Sequence, residues 1–164
     1  PTVAIGKIDD LFAHRGISKA VKATNNIGVM KAVRAEMATV SSGLIFANLV
    51  DFDMLWGHRN DVSSFAKGLE EFDRYLPNLL DILRDDDLLI ITADHGCDPT
   101  LSNATDHTRE YVPLLAYNKK MKAGIDLGIR ETFADVGQTI AEVFGIEYQF
   151  PGKSFLKGIA QSIG

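Results

Sequence analysis

The sequence predicts an α/β domain with a mostly parallel sheet flanked by helices. Three observations lead there. The apolar runs at 44–50 and 88–92 have the length and flanks of buried strands. The stretches around them carry apolar residues at helical spacing. Strand, helix, strand, with helices of about 12 or more residues between, is the pattern of strands that run parallel. A chain of 164 residues suffices for one such domain with one sizeable core.

Taken in order, Val3–Ile5 is a short apolar run ending at Gly6, the end of a strand. Over 26–40, Ile27, Met30, Val33 and Met37 mark one face of a helix, stopped near Ser41-Ser42-Gly43. Leu44–Val50 is the first buried strand. From Asp61 to Arg84 the pattern is helical again. Asp61 or Ser63 caps its start, Phe65, Leu69, Phe72 and Leu76 share its core face, and Pro77 should kink or restart it. Leu88–Thr92 is the second buried strand, and Pro113–Tyr117 a third, nearer an edge. Phe133–Phe144 reads as a helix ended by Gly145, and Pro151–Gly164 as a short extended piece and a surface segment.

Composition removes several functions. The 46% hydrophobic and 24% charged content is that of a soluble globular protein. A net charge of −5 argues against a nucleic-acid or anionic-membrane surface, which needs a basic excess. The lone Cys97 excludes an internal disulfide and fits a reducing compartment, the cytoplasm. No apolar run reaches the roughly 18 residues of a membrane span. The start, Pro1 to Gly6, lacks Met and the pattern of a signal peptide, so the chain reads as a fragment or processed product.

In parallel sheets, sites form beyond the carboxyl ends of strands. Asp51-Phe52-Asp53 follows the run 44–50, and Asp94-His95 follows 88–92. Asp53, His58, Asp94, His95 and His107 form the constellation, all expected in loops. Carboxylate and neutral imidazole suit zinc, manganese or iron. Adjacent Asp94 and His95 can reach one ion from two sides, and Gly57 is a flexible joint between Asp53 and His58. His107 lies in a polar loop between Asp106 and Arg109. Three of the chain's four histidines fall in these segments. Two such cations can clamp the attacking and leaving oxygens of an in-line phosphoryl displacement. Lys7, Arg59 and Arg109 would neutralise the remaining phosphate oxygens, arginine by bidentate contact.

Plainer readings stand beside these. Any one Asp-His pair in a loop is more often a cap or hydrogen-bonded pair, and it is the recurrence at strand ends that favours ligands. Asp51 is a direct ligand, an outer partner or an N-cap. His14 reads as solvated or as part of a substrate loop. Cys97, without a second cysteine, reads as packing, and the stripe Phe65, Leu69, Phe72, Leu76 as core. Arg84-Asp85-Asp86-Asp87 reads as a solvated helix exit.

These segments resemble the phosphopentomutase family, within the alkaline-phosphatase-like superfamily, over nearly the whole chain. The likeness rests on Gly6-Lys7-Ile8-Asp9-Asp10 running to Ile17, on Asn48–Asp53 with Gly57-His58-Arg59, and on Ile91–Thr100 around Asp94-His95-Gly96. Thr105-Asp106-His107-Thr108-Arg109-Glu110 and Arg130–Thr139 complete it. The superfamily shares only the Asp-His elements. The Gly-Lys-Ile-Asp-Asp run and the Thr-Asp-His-Thr-Arg-Glu block point to the mutase.

The resemblance implies an isomerase that moves a phosphoryl group between carbons 1 and 5 of ribose or deoxyribose. The family relays the group through a phosphothreonine primed by a sugar bisphosphate activator, with two divalent ions, typically manganese. Asp53, His58 and His107 would hold one ion, and Asp94 and His95 the other. Lys7 would lie near the substrate phosphate or the joint to a cap domain. The family's nucleophilic threonine and its remaining metal-ligating aspartate match nothing here. Residues 1–164 would thus be the C-terminal portion of the catalytic core, without its N-terminal segment and cap, and inactive alone. A related metal-dependent phosphatase, a cofactor-independent phosphoglycerate mutase, and a non-catalytic metal-binding fragment remain as alternatives.

Overall fold

The computed structural model describes residues 1–103, 105–121, 123–147 and 151–160. It confirms the α/β class and divides into two compact units, Pro1–Leu83 with His95–Val112, and Arg84–Asp94 with Pro113–Gly164.

In the first unit, β1 (Thr2–Ile5) is followed by a single turn, α1 (Ile8–Leu11), then β2 (Lys19–Val21), α2 (Asn26–Thr39) and β3 (Leu44–Ala47). β1 runs between β2 and β3, parallel to both, with Ile5 opposite Val21 and Ala47. Its central place explains its burial: Val3, Ala4 and Ile5 are at most 2% exposed. Val29 of α2 completes the core with Val3 and Ile5, and Val21, Val33, Ile45 and Leu49 pack around them.

Two expectations change here. β2 carries no strand signal, being three residues with exposed Lys19 and Ala20. β3 stops at Ala47 instead of Val50 and is half-buried, with Phe46 exposed, because it pairs only with β1 at the edge of this sheet. The three residues after it lead into the site.

Beyond β3, Phe52–Trp56 forms one π-helical turn and Gly57–Arg59 one 3₁₀ turn. α3 (Val62–Leu80) is capped by Asp61, whose carboxylate accepts from Ser64 N at 3.0 Å. The helix runs on through Pro77, because the bond that Pro77 forfeits lies in the last turn. Its buried face passes through Gly68 and Leu79, whereas Leu69 is exposed, against expectation. Gly68 decides this face: a Cβ there would fall inside the Trp56 ring. Trp56 and Phe65 each meet Phe52 edge-on, with centroids 5.2 and 5.1 Å apart, so an aromatic cluster supports the π turn.

In the second unit, β4 (Leu89–Ile91) and β5 (Leu115–Tyr117) pair antiparallel and are only partly buried. The run Leu88–Thr92 reads as a buried strand, whereas the strand formed is shorter and half-buried. α4 (Ala134–Val143) ends before Gly145, which takes the left-handed conformation (φ +64) that glycine tolerates best. The tail departs from the expected surface segment. Phe155 and Ile159 are 3% exposed, and α5 (Leu156–Ala160) is the last element among the described residues; those beyond 160 lie outside them.

The latch for that tail is Asp135, buried at 4% exposure. Its carboxylate accepts from Arg130 Nε at 2.6 Å and from Lys153 N at 2.7 Å, and Thr139 Oγ1 accepts from Phe155 N at 3.1 Å. Asp135→Ala strands both donors and should cost about 2–3 kcal/mol, read from the denaturant midpoint. An unchanged midpoint would refute the latch. Among the described residues, no helix is long and apolar enough to cross a membrane.

Candidate metal centre

Three segments of the first unit converge on one carboxylate oxygen. The π turn presents Asp53, the 3₁₀ turn His58, and the segment from His95 to Val112 presents His95 and His107. Asp53 Oδ1 lies 3.1 Å from His58 Nε2, 3.3 Å from His107 Nε2 and 3.6 Å from His95 Nε2. The His95 and His107 rings stack with centroids 3.6 Å apart, and His58 and His107 stand 5.0 Å apart. Asp53 and His58 therefore sit on short helical turns instead of in loops. A π turn widens the backbone by one residue and is frequent at functional sites.

A bridge between Gly96 and Thr108 brings the two later histidines together. Thr108 N donates to Gly96 O at 3.0 Å, and Thr108 Oγ1 accepts from Asp98 N at 2.8 Å. A Cβ on Gly96 would stand 2.7 Å from Thr108 O and 2.8 Å from Glu110 N, so only glycine permits the approach. Gly57 is likewise a matter of space: its φ is −60, in the ordinary helical range, and a Cβ would meet Cys97 Sγ at 2.7 Å. The reading of Gly57 as a flexible joint is corrected accordingly. Burial, with the charges of Asp53, Asp98 and Glu110, pushes the Cys97 thiol up, which disfavours the thiolate.

The histidines are oriented as ligands are. His58 Nδ1 faces Thr105 O at 2.6 Å, and His95 Nδ1 faces Gly96 O at 3.0 Å. A ring nitrogen facing a carbonyl must carry its hydrogen, so in the neutral ring it is Nε2, the nitrogen near Asp53, that is free to bind a cation. This is the arrangement of metal-bound histidines, whose second nitrogen donates to an outer partner. Among the described residues, Asp53 Oδ1 is buried without a hydrogen-bond partner. An orphaned carboxylate oxygen facing three imidazole nitrogens fits a divalent cation, and the O/N donor set suits manganese, zinc or iron. Asp53, His58 and His107 can offer atoms that all lie within 4.8 Å of one another.

The other sequence candidates are placed as follows. Asp94 is exposed and belongs to the second unit. Lys7, Arg59 and Arg109 are exposed in the first unit; Lys7 N donates to Asn48 Oδ1 at 2.8 Å, fixing the backbone there. Asp51 is buried, and its side chain does not cap the turn it begins. A second group, Asp9, Asp10 and His14, also brings ligand types together; His14 Nδ1 contacts Asp9 Oδ2 at 2.6 Å on an open surface. Sequence reasoning did not foresee the supporting contacts. The Thr105 carbonyl carries no side-chain signal at all, and the packing of Gly68 on Trp56 spans twelve residues of chain.

Comparisons with known proteins agree with this chemistry. The model of the metalloenzyme superfamily matches residues 5–148. The chain is 53% identical over 161 residues to a phosphopentomutase of Caldanaerobacter subterraneus subsp. tengcongensis, covering 98% of this chain and 41% of that protein. It is 52% identical over 159 residues to a phosphopentomutase of Clostridium novyi, covering 97% and 40%. The chain thus spans about two fifths of the length of these relatives. Among solved structures, a Pyrococcus horikoshii protein, PH0037, superposes with a TM-score of 0.64 at 16% identity, over 92% of this chain and 51% of its own. A phosphoglycerate mutase of Leishmania mexicana gives a TM-score of 0.64 at 20% identity, over 93% and 36%. At such identities these two matches speak for a shared fold.

Proposed function

The chain belongs to the metalloenzyme superfamily, and on that premise we propose that it is the metal-holding part of a phosphopentomutase core. The observation that carries the proposal is the orphaned Asp53 oxygen ringed by three imidazoles, in a chain about half identical to phosphopentomutases. Asp53, His58 and His107 would hold one divalent ion, and Asp94 and His95 a second; manganese suits both sets. His95 Nε2 lies 3.6 Å from Asp53 Oδ1, so the two donor sets are neighbours. When bound, such ions polarise phosphoryl oxygens and neutralise charge on the attacking and leaving groups.

The remaining roles belong to side chains. Lys7, Arg59 and Arg109 would bind substrate phosphate oxygens, arginine by paired hydrogen bonds. The threonine that carries the phosphoryl group, primed by a sugar bisphosphate, would come from the three fifths of the relatives' length that this chain does not span. This chain alone would bind metal without turnover, in a cytoplasmic protein.

Assaying the full-length protein with Mn2+ against ribose 5-phosphate, 3-phosphoglycerate and an aryl phosphate separates the readings. Interconversion of ribose 5-phosphate and ribose 1-phosphate is the expected result. Turnover of either other substrate alone would replace the mutase reading with a phosphoglycerate mutase or a phosphatase.

Metal binding should depend on pH in a set direction. The hydrogen bond to Thr105 O, then the charge of Asp53, raises His58 above its ordinary value of 6.5. A raised value means that the metal-free fold holds the proton more tightly than the unfolded chain does. The stability this contributes is full below pH 6.5 and is lost as pH rises through the folded value. The same proton occupies the nitrogen a cation needs, so Mn2+ affinity should rise between about pH 6 and pH 8, with proton release on binding. Calorimetry in two buffers of different ionisation enthalpy reads both effects, and affinity flat across that range would contradict them.

A further inference from the structure

Asp51 lies two residues before Asp53, is 7% exposed, and leaves its own helical turn uncapped. Its carboxylate reaches to another element. Asp51 Oδ2 accepts from Asn26 N, the first N–H of α2, at 2.8 Å. In return Asp51 N donates to Asn26 Oδ1 at 3.0 Å. Each residue thus gives its backbone N–H to the other's side chain, and the two bonds close a ring between the start of α2 and the exit of β3. A carboxylate at a helix N-terminus is also favoured by the exposed N–H dipoles there.

This clasp ties the metal-holding turn to the buried core of the unit. Asn26 is 3% exposed and begins the helix whose Val29 and Met30 are 0% and 3% exposed. Asn25, just before it, caps α2 by accepting from Gly28 N at 2.8 Å. On the turn itself, Met54 N donates to Val50 O at 3.1 Å, and the Phe52–Trp56–Phe65 cluster supports the other side. Asp53 sits between these two supports. Metal ligands depend on such outer partners for their aim.

We propose that Asn26 and Asp51 are positioning residues for the metal centre, holding Asp53 in place through their reciprocal hydrogen bonds, with Asp51 an anchor and not a ligand. This rests on the metal reading of Asp53. Asn26 Nδ2 is buried without a hydrogen-bond partner among the described residues. Asn26→Ala therefore removes an orphaned donor along with the clasp, which softens its effect on folding.

The test is titration of the chain with manganese(II) chloride by calorimetry, with circular dichroism as a check of the fold. Asn26→Ala and Asp51→Ala should each weaken Mn2+ binding about 10–100-fold. The double variant should bind no more weakly than either single one, because both substitutions break the same ring. Asp51→Asn keeps an acceptor for Asn26 N and should stay close to the parent. Asp135→Ala, destabilised in the second unit, should keep the parent's affinity.

Parent-like binding by both alanine variants overturns the inference. Loss in Asp51→Asn equal to that in Asp53→Asn overturns it too, by making Asp51 a ligand. An equal loss in Asp135→Ala does so by reducing the effect to stability. A parent that binds no Mn2+ overturns the metal reading itself, which separates the two failures. If Asp51→Ala does not fold, Asn26→Ala and Asp51→Asn decide the question alone.

Discussion

Replacing Asp53 by alanine should remove Mn2+ binding from the chain, a loss above the roughly 100-fold that outer partners carry. Asp53 Oδ1 is the one atom toward which all three imidazoles point, at 3.1, 3.3 and 3.6 Å. Without it, the neutral rings turn lone pairs toward one another with no anionic oxygen among them. The metal-free fold should be little affected. Among the described residues Asp53 Oδ1 has no hydrogen-bond partner, so its deletion strands no donor. The expected pair of results is abolished binding in calorimetry beside a near-parent denaturant midpoint. Retained Mn2+ affinity in this variant would dismiss the site.

Gly96→Ala should damage both the fold and the site. The added Cβ would stand 2.7 Å from Thr108 O and 2.8 Å from Glu110 N and O. All three are backbone atoms, so relief requires the bridge between Gly96 and Thr108 to part. Overpacking of this kind costs about 1–3 kcal/mol. It also pulls His95 from His107, whose rings are stacked at 3.6 Å. We expect a lower denaturant midpoint and weaker Mn2+ binding together. A variant that matches the parent in both would show that the bridge does not set the histidine spacing.

Legibility in the sequence followed the range of each interaction. Val3–Ile5 and the extent of the helix at 26–40 were readable because local apolar spacing and the Ser41-Ser42-Gly43 stop report directly on structure, but its face was not: Ile27 is exposed and Val29 takes the core place. Asp53, His58, His95 and His107 were readable because few residue types bind metal and the motifs sit near strand ends. Lys19–Val21 was missed because parallel pairing with β1 makes it a strand, and its own composition does not. Phe155 and Ile159 were missed because their burial depends on contacts to Asp135 and Thr139, many residues upstream. The place of Asp51 was left open because its partner, Asn26, lies 25 positions away.

The π turn at Phe52–Trp56 has a consequence for how this segment tolerates change. Its ring closes over one residue more than an α-helical turn, and an α-helix rotates by about 100° per residue. Met54 and Leu55 are each 45% exposed, so their identities are loosely constrained. Their number is not. Deleting either would let the turn relax to ordinary winding and swing His58 about a quarter-turn out of phase with Asp53. At Met54 and Leu55 the segment therefore stores its information as a length, and drift at these two positions is tolerated so long as the count is kept.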